Sequence, residues 1–169
     1  MKTFQYYLKD CLRIEIDGVG IKKILNMLFN PPFNSVFLIR LQMFFKTTWI
    51  KRIIQRKLVN RYGIFISDKT TIDIGLKLPH PNGIVLGRSV CIGRNCIIFQ
   101  QVTIGSRNVL DEDEVQANIG NDCIIGAGAK IIGTITVADR SIIGANAVLT
   151  HSTDADGIYV GIPAKKKKR

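Results

Sequence analysis

The sequence predicts a mainly β fold, in which short parallel strands coil into a three-sided prism preceded by an α-helical segment. From Leu86 the chain divides into six-residue rows, such as IGNDCI from Ile119 and IGAGAK from Ile125. The first position of each row is Leu, Ile or Val, and glycine often fills the second. An amphipathic helix would repeat near 3.6 residues and an ordinary strand near two, so neither explains a period of six. We therefore expect each row to form one flat side of a coil, with its first residue in the core.

The fifth position of each row is mostly small or β-branched, and we expect it to face inward as well. These positions hold Val90, Cys96, Val102, Cys123, Ala129, Ile135, Ser141 and Ala147. A buried cysteine behaves as a small hydrophobic residue, which favours a structural role for Cys96 and Cys123 over a reactive one. Extending the register backwards places Ile74 and His80 in first positions.

Composition limits the function classes. The net charge of +11 indicates an anionic partner: a nucleic acid, a membrane surface or a phosphorylated cofactor. No apolar run approaches the length of a membrane span, and the N-terminus lacks the layout of a secretory signal, so we expect a cytoplasmic protein. The four cysteines form no CxxC pair and have no histidine partners at zinc spacing, so we expect neither a metal site nor a disulfide framework.

Three further segments carry a family resemblance. IGAGAKIIG from Ile125, FQQVTIG from Phe99 and VGIPAK from Val160, together with the rows, resemble the hexapeptide acyltransferases, closest to the serine acetyltransferase type. The resemblance begins at Tyr62. It implies a left-handed parallel β-helix, although most parallel crossovers are right-handed. It also implies acetyl-CoA as the donor, and a homotrimer with active sites between subunits.

His80 stands between two prolines in PHPNGIVLG, from Pro79 to Gly87. On these residues alone it is equally a polar misfit, a side chain turned outward, or a base held toward a cleft. The segment resembles the one that carries the catalytic histidine of the family, which implies that His80 is the general base. A neutral imidazole suits removal of a hydroxyl proton at neutral pH. We expect His151, in a polar stretch after the last good row, to be solvated.

The resemblance also implies the remaining site residues. Small residues would line the groove for the pantetheine arm, Lys165 would contact a phosphate, and a backbone N–H would stabilise the oxyanion. The expected donor-binding residues are Gly105, Ser106, Gly126, Ala127, Gly144, Ala145 and Lys165. The expected acceptor-binding residues are Asn82, Gln100, Gln101 and Gln116. No metal is expected.

The chain departs from the serine-specific pattern at four positions. Pro79 and Phe65 stand where the serine enzymes have acidic residues, and Val115 and Gln116 stand where they have an arginine and a second histidine. An amino acid acceptor needs charged partners, whereas a sugar hydroxyl does not. These departures favour a sugar of a surface polysaccharide or its precursor as the acceptor. Serine O-acetylation in cysteine biosynthesis is the alternative.

We divide the chain into a helical segment, residues 1–61, and a coil domain, residues 62–169, that ends in a C-terminal tail. A loop at 106–118 is expected to leave the coil, because the fifteen residues from Ile104 to Ile119 are not a multiple of six. Its acidic run, 111–114, is either a solvated tip or a contact for the acceptor or another subunit.

Asn34 or Ser35 is the expected N-cap of a helix in the N-terminal segment, and NPPFN from Asn30 separates it from an earlier helical stretch at 21–29. Its apolar residues recur at helical spacing among basic ones: Leu38, Leu41, Phe45, Trp49, Ile53 and Leu58. The segment either caps the open end of the coil and packs in the trimer, or forms a basic surface, 35–61, that touches the inner face of a membrane. Nucleic-acid binding is not expected, since no nucleic-acid module accompanies the charge.

Overall fold

A computed structural model describes residues 29–107 and 117–168. Within them the chain forms two helices, α1 (Pro31–Phe44) and α2 (Thr48–Tyr62), followed by short strands. The strands are β1 (Phe65–Ile66), β2 (Thr71–Ile72), β3 (Val85–Leu86), β4 (Cys91–Ile92), β5 (Ile97–Ile98), β6 (Thr103–Gly105), β7 (Asn118–Ile119), β8 (Ile124–Ile125), β9 (Lys130–Ile132), β10 (Thr136–Val137), β11 (Ile142–Ile143), β12 (Val148–Leu149), β13 (Ile158–Val160) and β14 (Lys165–Lys166).

The strands form the three sides of a prism. The first side contains β1, β3, β6, β9 and β12; the second contains β2, β4, β7 and β10; the third contains β5, β8, β11, β13 and β14. From β1 to β13, consecutive strands along the chain lie on different sides, and neighbours within a side are parallel. Strand β14 is the exception, because it stays on the third side and runs antiparallel to β13. This arrangement is the coil of parallel strands that the six-residue period predicts.

The core follows the first and fifth positions of the rows. The first-position residues from Leu86 to Ile143 are at most 3% exposed, and Val90, Cys96, Val102, Cys123, Ala129, Ser141 and Ala147 are fully buried. Ile135 is the exception and is only partly buried. Gly133, two residues earlier, is buried instead of Ile135. The Ile135 N–H donates to the Gly133 carbonyl, so the backbone makes a tight turn between β9 and β10.

The backward extension of the register is wrong. Ile66, Ile72 and Leu78 fill the core of the first coil, whereas Ile74 is half-buried and His80 is exposed. Phe65 pairs with Val85, twenty residues later, but Val85 pairs with Thr103, eighteen residues later. The first coil therefore holds two extra residues, and they fall between Leu78 and Leu86, around His80.

A longer insertion separates β6 and β7. Cys91 pairs with Asn118, 27 residues later, whereas Asn118 pairs with Thr136 at the regular spacing of eighteen. Nine extra residues therefore leave the coil here. Residues 108–116, which include Val115, Gln116 and the acidic run 111–114, lie outside the described part of the chain.

The first helix begins earlier than predicted. Asn30, rather than Asn34 or Ser35, is the N-cap of α1, and its side chain accepts a hydrogen bond from Phe33 N at 3.4 Å. NPPFN therefore starts this helix, because proline is well tolerated in the first turn, where its missing N–H has no helical partner. A non-helical step over residues 45–47 separates α1 from α2.

The two helices cover the N-terminal end of the coil. Arg40, expected among surface cations, is 2% exposed and donates to the carbonyls of Ile72 at 2.8 Å and Asp73 at 2.6 Å. Helix α2 packs through Ile54, Leu58 and Tyr62. Trp49 and Ile53, which share the predicted helical spacing with Leu58, are instead 63% and 60% exposed. No helix within residues 29–107 and 117–168 is long and apolar enough to cross a membrane.

Candidate active site

His80 lies on the edge of the prism between the third and first sides. We call this the His80 edge; it consists of residues 79–84, 99–102, 126–129, 144–147 and 161–164, one set for each coil. The His80 carbonyl accepts a hydrogen bond from Asn82 N at 2.8 Å, and its ring centroid lies 6.3 Å from that of Phe99. Pro81 is buried while His80 is exposed. The two-residue insertion thus anchors the backbone and leaves the imidazole outside the coil.

The three described residues expected to bind the acceptor meet at this edge. Gln101 N donates to the Asn82 carbonyl at 2.8 Å, which joins the second coil to the His80 segment. Gln100 lies beside them, and its Oε1 is buried without a hydrogen-bond partner in the described structure. A buried polar atom without a partner is costly, so this amide is suited to receive a ligand O–H or N–H. Gln116 is outside the described residues.

Lys130 also reaches this edge, which the sequence did not suggest. Its Nζ donates to the carbonyls of Gln101 at 2.6 Å and Gly128 at 3.0 Å. Both residues have left-handed backbones, with φ of 59° and 70°. Hydrogen bonds thus run from Lys130 to Gln101, from Gln101 to Asn82, and from Asn82 to His80. Lys130 belongs to β9 on the first side, but its Nζ lies at the His80 edge. Only the pairing of the coils shows that this side chain reaches Gln101.

The small residues expected to line the donor groove continue the same edge. Gly126 and Ala127 follow β8, Gly144 and Ala145 follow β11, and these two strands are paired in register. A Cβ on Gly126 would lie 2.6 Å from Ala145 N, so glycine is needed for this close approach of two coils. The structure therefore places all four residues in a column that begins beside Gln100.

Lys165 lies at the far end of this column. It is exposed on β14 and pairs with Val160, whose Cγ1 would lie 2.8 Å from a Cβ on Gly144. A cation here is separated from His80 by the full length of the column. A long donor with a phosphate at one end and a thioester at the other fits that separation.

Gly105 and Ser106 do not belong to the His80 edge. They lie at the opposite end of β6 from Gln101, on the edge between the first and second sides, where Gly105 accepts a hydrogen bond from Gly133 N. Within one chain these two residues are therefore not beside His80, and the expectation that a backbone N–H near them stabilises the oxyanion stays a prediction that needs a neighbouring subunit. The sequence placed them by motif and could not show that a three-residue strand carries the backbone to the next edge.

His151 and the described cysteines show no sign of a second catalytic site. His151 is exposed, with its ring 6.0 Å from that of Tyr159. Cys96 and Cys123 are buried in successive coils, and their hydrogen bond, with burial, raises the pKa of Cys96. The same hydrogen bond lowers the pKa of Cys123, but both thiols are fully buried in the coil, where no substrate reaches them. Across the described ranges, no cluster of three His, Cys, Asp or Glu side chains could hold a metal.

Comparison with known proteins places this geometry among described transferases. A profile for "Bacterial transferase hexapeptide (six repeats)" matches residues 116–151. The chain is 34% identical to a serine acetyltransferase of Bacillus subtilis over 122 residues, 71% of this chain and 55% of that protein. It is 36% identical to a Helicobacter pylori serine acetyltransferase over 103 residues, 61% of this chain and 60% of that protein.

Solved structures of serine acetyltransferases are similar to this chain over most of its length. The crystal structure of Neisseria gonorrhoeae serine acetyltransferase superimposes with a TM-score of 0.81 at 26% identity, over 96% of this chain and 65% of that one. A serine acetyltransferase in complex with CoA gives a TM-score of 0.70 at 27% identity, over 80% of this chain and 56% of that one. The fold is therefore the expected left-handed β-helix with a helical segment before it. The chain, which spans little more than half of the Bacillus relative, belongs to the hexapeptide-repeat transferase family.

Proposed function

We propose that this protein is an acetyl-CoA-dependent O-acetyltransferase in which His80 is the general base. The observation that carries the proposal is the position of His80, exposed at the head of a column of small residues that ends at Lys165. Its imidazole is the only histidine side chain along this column. The CoA complex of a relative with the same fold supports acetyl-CoA as the donor.

The chemistry follows from that arrangement. Neutral His80 accepts the proton of the acceptor hydroxyl while its oxygen attacks the thioester carbonyl, giving a tetrahedral oxyanion. Collapse of this intermediate breaks the carbon–sulfur bond and releases CoA, whose thiolate takes up the proton held by the imidazole. The small side chains of Gly126, Ala127, Gly144 and Ala145 allow the pantetheine arm to lie against the backbone. No step requires a metal.

Serine is the acceptor that the relatives favour. The proteins with which the chain shares 34% and 36% identity are both serine acetyltransferases. This supports the serine alternative over the polysaccharide acceptor that the departures at Pro79 and Gln116 suggest. The Lys130 ammonium, one coil from Gln101, gives the His80 edge a positive charge that an amino acid carboxylate can use.

A sugar hydroxyl is the second candidate, because one observation favours it. The described residues of the His80 edge include no Asp, Glu or Arg, and the groups beside His80 are the neutral amides of Asn82, Gln100 and Gln101. An ammonium group of an amino acid finds no carboxylate there. Neutral amides are suited to hydroxyl groups of a sugar.

Three copies of the chain would complete the site. Gly105 and Ser106 lie on the prism edge next to the His80 edge, so a second copy packed against the first side can bring them to His80. We therefore propose a homotrimer, in which each site takes groups from two copies. Sedimentation equilibrium tests the assembly, and a monomer with full activity would contradict it.

Release of the CoA thiol tests the activity. His80→Ala should lose about 10²–10⁴-fold in kcat, whereas His151→Ala should keep it. Equal activities of the two variants would show that His80 is not the base.

The acceptor is identified by comparing kcat/KM for L-serine with kcat/KM for oligosaccharide repeats in one buffer. A preference for serine of about 10²-fold, roughly 2.7 kcal/mol, would exclude the sugar.

A further inference from the structure

The outward face of α2 combines apolar and basic side chains. Trp49, Ile53, Arg56 and Asn60 follow one another at helical spacing, on the side of the helix opposite to the buried Ile54 and Leu58. Trp49 is 63% exposed and Ile53 is 60% exposed. We call this face, together with the cations that flank it, the α2 surface. The centre of the α2 surface is thus apolar, although it is exposed rather than packed against the core.

Among the described residues, the cations of the α2 surface have no acidic ion-pair partners. Residues 46–62 contain six Lys or Arg and no Asp or Glu: Lys46, Lys51, Arg52, Arg56, Lys57 and Arg61. None of the six makes an ion pair with another described residue; the ion pairs there with exposed lysine or arginine are Arg140–Asp156 and Lys166–Asp154. Within the described structure, no ion pair compensates this positive charge.

Two clefts border this helix. One, of about 690 Å³, lies between α2 and the start of the first side and is lined by Lys46, Lys51, Arg52 and Arg56, with Asp68 as its single acidic group. The other, of about 620 Å³, is lined by Ile53, Arg56, Lys57, Asn60 and Arg61. Arg56 lies in both clefts. Both have room for a phosphate group beside at least two cations.

The charge and the apolar centre of the α2 surface indicate which kind of ligand it binds. A second copy would present the same positive charge and be repelled, and residues 1–28, with five Lys or Arg and three Asp or Glu, are themselves net positive. A nucleic acid duplex would neutralise the cations but offers no apolar phase for Ile53. An anionic bilayer offers phosphates for the cations and an interface in which tryptophan and isoleucine are stable.

We propose that the α2 surface binds anionic phospholipid headgroups, with α2 parallel to the bilayer plane and Trp49 and Ile53 inserted at the interface. Lys46, Lys51, Arg52 and Arg56 then contact lipid phosphates through the larger cleft. Binding by this surface does not depend on acetyl transfer, because the His80 edge lies on the coil rather than on α2.

Co-sedimentation with vesicles tests the proposal. The full chain should sediment with mixed phosphatidylglycerol and phosphatidylcholine vesicles, release as salt rises, and remain unbound by phosphatidylcholine alone. Trp49 is the single tryptophan of the chain, so its emission reports the surface directly. Its emission should shift to shorter wavelength on binding. Binding without that shift, or no binding, would overturn the proposal.

Matched charge variants locate the binding surface. Arg52→Gln, Arg56→Gln and Lys57→Gln combined should weaken vesicle binding about 10²-fold. The control combines Lys166→Gln, Lys167→Gln and Lys168→Gln, which removes the same charge at the opposite end of the chain and should weaken binding far less. Ile53→Ser should reduce binding with the charge unchanged. Equal losses in the two triple variants, or duplex DNA bound in preference to vesicles, would refute the lipid surface.

Discussion

Gly126 gives the sharpest test of how the coils are packed beside the His80 edge. A Cβ at this residue would lie 2.6 Å from Ala145 N and 2.8 Å from Ile143 O. Both atoms belong to the backbone of the next coil, so no side chain can rotate away. Gly126→Ala therefore requires the two coils to separate locally, and overpacking of this kind destabilises by about 1–3 kcal/mol. For a chain of this length we expect Tm to fall by about 2–4 °C for each kcal/mol.

Gly105→Ala is the matched control. A Cβ there would meet no atom of the described residues within 4 Å, and the φ of Gly105 is not in the left-handed region. The same change should therefore alter stability by no more than about 0.5 kcal/mol. Thermal unfolding followed by circular dichroism measures both variants under one condition. Equal Tm shifts in the two, or a higher Tm for Gly126→Ala, would refute the packing argument.

Three further outcomes are expected. Lys130→Met should lower kcat by about 10–100-fold with little change in KM for acetyl-CoA, whereas Lys77→Met, at an exposed position on the third side, should not; an unchanged kcat would exclude a positioning role. Hydrogen bonds from Asn121, chiefly from its backbone N–H at 2.7 Å, lower the pKa of Asp139, so its stabilisation should be present above its unfolded pKa, near 4, and lost as pH falls through the lower folded value. In Asp139→Asn, Tm should therefore fall less as the pH is lowered below about 4. The same fall in Tm as in the unchanged protein would contradict this. Incubation with a chelator should leave acetyl transfer unchanged; restoration of a lost activity by one metal would show that a metal is needed.

The periodic part of the fold could be predicted because its signal is local. From Leu86 to Ile104, and again from Ile119 to Leu149, each first-position residue is followed six residues later by another aliphatic one, and burial in the coil is what selects them. The segment around His80 has no such period, so the two extra residues could not be found by extending the register. The spacing of Ile66, Ile72 and Leu78 was the available signal, since it is also six but out of step with Leu86.

Several residues have positions that the sequence could not show, because these positions depend on contacts across coils. Arg40 is one basic residue among many until its guanidinium is seen to hold two carbonyls at the end of β2. Lys130 likewise reaches Gln101, 29 positions away in the chain, through a hydrogen bond that no local pattern encodes. Gly105 was assigned by its motif, and only the direction of β6 separates it from His80. Periodicity shows which residues are inside, and the coil register shows which outer residues are neighbours.

The reversal at the end of the coil covers its last open strands. Strand β14 runs antiparallel to β13, and residues 161 and 164 exchange backbone hydrogen bonds with Val148, so the last turn folds back on the first and third sides. An edge strand that carries charged lysines is a poor template for another strand. With α1 and α2 over the other end, both ends of the described coil are covered, and neither cover depends on the number of coils between them. Duplication of one eighteen-residue coil between them would add about 4.8 Å of height and leave both ends unchanged, so families built this way can lengthen or shorten by whole turns.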